Sequence, residues 1–219
     1  MNERIHDRLF AASGIASVAL MLAGVVIGST GGRQFVTVTS SPSDIAEAIA
    51  KPVGTAAWTG AYLELLSFGC FLAFAVWACA KLGGGLLGQI ALAAATSYVT
   101  VSVASLAVMD TLAYRSGHGI GLQLATALVT LNQAFYVVTW FLSAFFLLAA
   151  GPLALQAGRR AIGWSAIAVA AIVLVLTPLS LDNLAQLANF LWLIWIVAAS
   201  VVLGARRGAP VGAVAPARS

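Results

Sequence analysis

Long apolar stretches separated by short polar segments dominate this sequence. Six stretches are each about 20 residues long, which is the length that an α-helix needs to cross the hydrocarbon core of a bilayer. The predicted membrane-spanning helices are Leu9–Gly28, Thr55–Ala80, Leu86–Met109, Leu131–Leu153, Ala161–Leu179 and Leu184–Leu203. The pattern predicts an all-α fold, a polytopic membrane helical bundle that forms a single transmembrane domain over residues 1–207. Residues 208–219 are rich in Gly, Ala and Pro and are expected to form a disordered cytoplasmic tail.

The first apolar stretch has an alternative interpretation as a cleaved secretory signal peptide. Its leading residues include both acidic and basic side chains, whereas a signal peptide begins with a basic segment. Its apolar run is also longer than the roughly 7–15 residues of a signal peptide. We therefore expect an uncleaved first helix.

The segment between the first two predicted spans contains a helix of a different kind. Ser41, Pro42 and Asp44 form a helix start, because Ser is a favoured N-cap residue and Pro is favoured at the first helical position. Ile45 and Ile49 then place apolar side chains on one face. This pattern predicts a short amphipathic helix that lies flat on the outer membrane surface.

The distribution of basic residues predicts the orientation of the bundle. When the N-terminus is placed inside, eight of the 11 Lys and Arg residues fall in inner segments, and Arg33, Lys51 and Arg115 fall in outer ones. Cytoplasmic segments carry an excess of Lys and Arg. We therefore predict that both termini are cytoplasmic.

Composition supports a membrane protein and excludes several other classes. Hydrophobic residues make up 61% of the chain, charged residues only 8%, and the mean hydropathy is +1.00. A soluble domain carries about 25% charged residues, so a soluble enzyme or a disordered regulator is excluded. The basic residues are dispersed, which argues against nucleic acid as a partner and leaves the lipid bilayer. The abundance of Ala, Gly and Arg is typical of a high-GC bacterial genome and predicts the bacterial cytoplasmic (inner) membrane.

No sequence motif calls for a metal or a cofactor. The chain contains no phosphate-binding loop, zinc motif or nucleophile elbow. Cys70 and Cys79 are nine residues apart in one apolar run, where helical geometry directs them to opposite sides and prevents a disulfide. We therefore expect no cofactor and no metal ion.

Glu64 is the most informative polar residue, because it lies inside the second predicted span. Ionisable residues within a membrane helix are rare and face the bundle interior, where they are candidates for function. The same face contains Gly60, Ala61 and Ser67, whose small side chains permit close helix packing. Glu64 is therefore our candidate general acid, and a structural hydrogen bond to a neighbouring helix is the alternative.

Two aspartates lie at predicted helix ends on the same outer side. Asp110 ends the third span and is the candidate partner acid or terminal base, although an interfacial Asp needs no special role. Asp182 precedes the sixth span, where an acidic residue also complements the helix dipole as a cap. Which of the two is the partner of Glu64 stays open at this point.

Amide and aromatic side chains repeat at helical spacing on the second, fourth and sixth spans, all in their outer halves. Together with Asp182 we assign them to substrate binding: Trp58, Tyr62, Asn132, Tyr136, Trp140, Gln186, Asn189 and Trp192. Trp58 also fits an interfacial aromatic belt. Because the topology brings these groups to one end of the bundle, we predict a polar and aromatic chamber that faces outward.

Several short motifs resemble those of small bacterial multi-pass membrane proteins of an uncharacterised family. The motifs are Ser-Pro-Ser-Asp-Ile-Ala at 41–46, Gly-Ala-Tyr at 60–62, Leu-Asn-Gln-Ala-Phe at 131–135 and Gly-Trp at 163–164. The resemblance covers most of the chain and implies no activity.

The size of the chain, Glu64 and the aromatic chamber resemble, more distantly, the integral membrane terpene cyclases that make meroterpenoids and indole sesquiterpenoids. That resemblance implies a metal-free enzyme in which a membrane-embedded acid protonates an oily prenylated substrate, a polyene or an epoxide. Aromatic faces would then stabilise the carbocation during cyclisation. The implied partner is a lipophilic small molecule, and a homo-oligomer is left open.

Two other classes of function remain as alternatives. Glu64 could be the coupling site of a proton-coupled carrier or channel, although no pair of helices is interrupted by Gly or Pro at mid-membrane. The small-residue faces could instead bind a partner helix in a non-catalytic assembly or accessory subunit.

Overall fold

The computed structural model describes the backbone of residues 3–33, 36–179 and 183–205, and their side chains except those of 3–4, 177–179 and 183–186. Within these residues the structure is helical, without a strand. The helices are α1 (Glu3–Thr30), α2 (Pro42–Ala50), α3 (Thr55–Lys81), α4 (Gly85–Arg115), α5 (Leu122–Gln156), α6 (Arg160–Leu179) and α7 (Asn183–Ala205). The predicted disordered tail, Asp182 and the side chain of Gln186 lie outside the described residues.

Five helices (α1, α3, α4, α5 and α7) are long and apolar enough to cross a membrane. The remaining long helix, α6, has 20 residues and corresponds to the predicted span Ala161–Leu179. The all-α, multi-pass character predicted from hydropathy agrees with this arrangement.

Two helices extend beyond the apolar stretches from which they were predicted. α4 continues past Met109 to Arg115, and α5 begins at Leu122 rather than at Leu131. Threonine hydroxyls in the added turns donate to backbone carbonyls four residues earlier, for example from Thr111 to Ala107. Polar side chains are therefore accommodated within the helices, and Asp110 lies inside α4 instead of at its end.

The helices other than α2 form a closed ring in chain order. α1 packs on α3, each later helix packs on the next, and α7 returns to α1. We call the end at which α1 stops and α3 starts the α2 end, and the end that contains Lys81 and Gly158 the opposite end. Large side chains such as Phe74, Phe146 and Leu147 are fully buried within the ring.

α1 and α3 approach each other backbone to backbone. A Cβ added at Gly60 of α3 would lie 2.6 Å from Cα of Gly28 in α1, closer than real Cβ atoms come to other atoms. An ion pair between Asp7 and Lys81 joins the same two helices at the opposite end, and the indole of Trp77 also donates to Asp7 at 3.0 Å. The small residues predicted on this face of α3 therefore serve helix packing.

α2 forms where the sequence predicts it. Ser41 is the N-cap: its hydroxyl accepts from the backbone N–H of Asp44, and the Asp44 carboxylate accepts in return from the backbone N–H of Ser41. Hydrogen bonding of the Asp44 carboxylate to Ser41 lowers the pKa of Asp44 below its usual value. Ile45 is buried against Met109 and Val129, so α2 rests on the ends of α4 and α5.

Candidate functional site

A cavity of about 490 Å³ lies within the ring and extends toward the α2 end. All six helices of the ring contribute to its wall, together with residues that directly follow α1. Its polar lining residues are Arg33, Thr37, Glu64, Tyr98, Ser102, Ser105, Asn132, Gln133, Tyr136, Thr139, Ser143 and Asn189. Arg33 and Glu64 are the charged members of this described lining.

Arg33 and Glu64 form an ion pair in the cavity wall. Nη1 of Arg33 donates to Oε1 of Glu64 at 2.8 Å, and the two side chains are only 7% and 14% exposed. Nη2 of Arg33 also lies 3.9 Å from Oδ1 of Asp110, whose side chain is 30% exposed. One guanidinium therefore faces two carboxyl groups from different helices.

Glycines close to the end of α1 direct Arg33 into the bundle. Gly31 packs directly on Ala57 at the start of α3, and its carbonyl accepts from the backbone N–H of Gly54 at 2.8 Å. Gly32 has φ +83°, a conformation that residues with a Cβ rarely adopt. The chain therefore turns back at the end of α1 and carries Arg33 inward.

The position of Glu64 also depends on a glycine. A Cβ added at Gly24 of α1 would lie 2.8 Å from Cγ of Glu64 and from the carbonyl oxygen of Gly60, so any side chain at position 24 would force α3 or Glu64 to move. Gly24 therefore shapes the cavity wall as well as the contact between α1 and α3.

One face of α5 supplies the polar side of the cavity. The hydroxyl of Ser105 in α4 donates to Oδ1 of Asn132 at 2.7 Å and so links the two helices. The hydroxyls of Thr139 and Ser143 donate to carbonyls of their own helix, at Tyr136 and Trp140. Several of the hydrogen-bonding groups on this face of α5 are therefore already paired.

Aromatic rings line the deeper part of the cavity. Tyr136 and Trp140 meet edge to face with their ring centroids 5.1 Å apart, and Tyr98 meets Trp192 in the same manner at 5.8 Å. Below them Phe71 packs on Trp192 at 5.4 Å. These rings close the cavity toward the opposite end of the bundle.

The structure brings together most of the residues predicted for the chamber. Those that line the cavity are Glu64, Asn132, Tyr136, Trp140, Asn189 and Trp192. Asp110 is outside the lining set but stands next to Arg33. Asp182 cannot be placed, because it lies outside the described residues, and of Gln186 only the backbone is described.

Trp58 and Tyr62 do not line the cavity, contrary to the prediction. They are 39% and 61% exposed on the outer surface of the ring. Ala57, Gly60 and Ala61 form the buried face of α3. Since that face packs against α1, the large aromatic side chains beside it point away from the bundle.

Arg33 is the main residue that sequence reasoning missed. The sequence places Arg33 in an outer connection and indicates no role for it in the site, whereas the structure buries it in the cavity wall. The Gly31-Gly32 pair before it was the available signal for a sharp turn. Tyr98 and Ser102 of α4 were also missed, because neither stands out within a long apolar span.

The described residues contain no group of three or more His, Cys, Asp or Glu side chains that could hold a metal ion. Comparisons of the chain with protein-family models, with curated proteins and with solved structures give no match.

Proposed function

We propose that this protein is a multi-pass membrane protein whose cavity binds a lipophilic small molecule. The observation that carries the proposal is the combination, in one cavity, of the Arg33–Glu64 ion pair with the aromatic wall of Tyr98, Tyr136, Trp140 and Trp192. Small-molecule sites are mostly apolar and aromatic and contain a few polar groups that orient the ligand. This cavity has that composition.

The size of the cavity limits the ligand. Sites for drug-sized molecules occupy about 300–1,000 Å³, and the cavity of about 490 Å³ falls within that range. A lipid with two long acyl chains exceeds it. The proposed ligand is therefore a compact lipophile, with its apolar part against the rings and its polar part near Arg33.

We further propose six membrane spans, including α6, with both termini in the cytoplasm of a bacterial cell. At 1.5 Å per residue, the 20 residues of α6 extend over about 30 Å, the thickness of the hydrocarbon core. Lys81, Arg159 and Arg160 cluster in the two turns of the opposite end, which the positive-inside rule assigns to the cytoplasm. The cavity then faces the outer leaflet.

A second candidate function is proton-initiated cyclisation of a prenylated polyene or epoxide. The aromatic wall favours it, since ring faces stabilise a carbocation in a site without bulk water. A carboxyl group would transfer its proton to the substrate, and a carboxylate would take a proton from the cyclised cation, so the product is an isomer. Because Arg33 balances the charge of one carboxylate, Glu64 and Asp110 would have to act as a pair, with one of them carrying the proton.

Ligand binding can be tested with two matched substitutions on α7. Ala188 lines the cavity and is buried, whereas Ala198 is exposed on the same helix. Purified protein in nanodiscs is incubated with a panel of prenylated alcohols and quinones, and bound compound is measured by mass spectrometry. We expect wild type and Ala198→Phe to retain a ligand and Ala188→Phe to lose it. Equal retention by both variants would remove the cavity as the binding site.

Cyclisation can be tested in cells that express the chain and are fed linear prenylated and epoxidised compounds. A product of unchanged mass and shifted retention time is expected for wild type and absent for Glu64→Gln and Asp110→Asn. A product that survives both substitutions would exclude acid catalysis by this pair. Ligand binding without any product would support the first function alone.

A further inference from the structure

The charges of the cavity wall limit which lipophiles it can accept. Among the described lining residues, the one cation, Arg33, is paired at 2.8 Å with the one anion, Glu64. Asp110 adds a second carboxyl 3.9 Å from Arg33. The site therefore has no excess positive charge to offer a ligand.

A ligand with a phosphate or carboxylate group would bind weakly at this wall. Such a group would have to compete with Glu64 for a guanidinium that is already balanced, and it would add a negative charge beside Asp110. Like charges brought together at a desolvated interface cost several kcal/mol. Anionic lipophiles such as prenyl diphosphates and fatty acids are disfavoured for this reason.

A cationic group also meets no unpaired carboxylate among the described lining residues. The carboxylate of Glu64 accepts a hydrogen bond from Arg33, and Asp110 is not among the residues that line the cavity. The remaining polar lining consists of hydroxyl and amide groups, among them Ser102, Gln133 and Asn189. These groups exchange hydrogen bonds with neutral oxygen atoms.

We infer that the ligand is an uncharged lipophile that carries a hydrogen-bonding oxygen, as in a phenol, quinone, alcohol, ketone or epoxide. This inference rests on the proposed binding function and narrows it to one chemical class. The ion pair then acts as a neutral polar wall that selects against charged ligands.

A series of four probes with one apolar scaffold tests this selectivity: para-octylphenol, para-octylbenzoate, para-octylphenyl phosphate and para-octylbenzylammonium. Affinity of each for the protein in nanodiscs is measured by mass spectrometry of retained probe. Wild type should bind the phenol at least about tenfold more tightly than any charged probe, since a mismatched charge costs more than the 1.4 kcal/mol of a tenfold change.

Substitutions that change the charge of the wall should reverse this preference. Asp110→Asn leaves the 2.8 Å pair in place and removes one negative charge, and Glu64→Gln frees the guanidinium. Each should raise the phosphate-to-phenol affinity ratio by about tenfold relative to wild type. Lys81→Gln, which alters an ion pair outside the cavity, should leave the ratio unchanged. Ratios between variants cancel the different partitioning of the probes into lipid.

The outcomes separate the two proposals. A wild-type preference for a charged probe, or an unchanged ratio in Asp110→Asn, would overturn the neutral-ligand inference while leaving a binding cavity. If Glu64→Gln does not fold, Asp110→Asn alone decides, because its side chain is more exposed. If the protein retains no probe, or if Ala188→Phe does not reduce the retention of any probe, the binding function is overturned, and the inference with it.

Discussion

Arg33 and Glu64 are 31 positions apart in the chain, yet Nη1 of the first lies 2.8 Å from Oε1 of the second in the wall of the cavity. The contact joins the end of α1 to the interior of α3. Asp7 and Lys81 join the same helices at the opposite end, where both side chains are more exposed. The two pairs are alike in chemistry and differ in burial, which makes one a control for the other.

Breaking the buried pair should cost far more than breaking the exposed one. Removing one partner of a buried pair leaves an uncompensated charge, at a cost of about 3–5 kcal/mol. Arg33→Gln and Glu64→Gln should each lower the free energy of unfolding by about that amount, and the double variant by less than their sum. Lys81→Gln should cost below about 1 kcal/mol. The measurement is equilibrium unfolding in mixed micelles. If the loss of unfolding free energy in the double variant equals the sum of the losses in the two single variants, the two side chains do not interact directly.

Gly60 should not tolerate even a methyl group. A Cβ there would lie 2.6 Å from Cα of Gly28, so α1 would have to move away from α3. We expect Gly60→Ala to destabilise the protein by about 1–3 kcal/mol, the usual cost of overpacking. Gly69 of α3 has open space around it, and Gly69→Ala should have little effect. Thermal unfolding of both variants in one detergent compares them, and equal melting temperatures would refute this account of the contact.

The start of α2 should depend on pH through Asp44. The Ser41 hydrogen bonds lower the pKa of Asp44 below 3.8. Since a group with a lowered folded-state pKa stabilises above its unfolded pKa, this support is complete at neutral pH and is lost as pH falls through the lowered value. Backbone hydrogen exchange of α2 should therefore accelerate, relative to the intrinsic rate, only at pH below about 4.

Asp44→Asn provides the comparison for that experiment. It removes the titrating carboxylate, so its α2 should exchange faster than wild type at neutral pH and show no further loss in acid. A wild-type profile that matches the variant at every pH would show that the capping box does not support α2.

Labelling of single cysteines tests the proposed orientation. In a background with Cys70 and Cys79 replaced by Ala, cysteine is introduced at Ser43 of α2 or at Gln156, the end of α5; both positions are exposed. A membrane-impermeant maleimide should label Ser43→Cys in intact cells and Gln156→Cys only after permeabilisation. The reverse pattern would place the cavity on the cytoplasmic side.

Several of the residues that line the cavity can be predicted from the sequence. Polar and aromatic residues inside apolar helices are expected to face the bundle interior. Six residues predicted on this basis line one cavity in the structure: Glu64, Asn132, Tyr136, Trp140, Asn189 and Trp192. The signal was local, since each residue contrasts with the lipid-compatible side chains next to it.

Helix ends were predicted less well, for a physical reason. Hydropathy indicates which residues are stable in contact with lipid. A helix, in contrast, continues as long as its backbone N–H and C=O groups are hydrogen-bonded to each other. Thr111 and Thr126 satisfy their hydroxyls within the helix, so α4 continues past Met109 and α5 begins before Leu131. Asp110 therefore lies within α4, close to Arg33, instead of at the end of the helix.

The sequence by itself determined the all-α fold with long apolar helices, the start of α2 at Ser41 and part of the cavity lining, because these follow from composition and from contacts within a few residues. Only the tertiary structure decided that Arg33 enters the cavity and that Trp58 and Tyr62 face outward. Those positions depend on which helix packs against which. In a bundle where nearly every helix face is apolar, close glycine contacts such as Gly28 with Gly60 decide which faces pack together. These contacts form only when the helices are assembled.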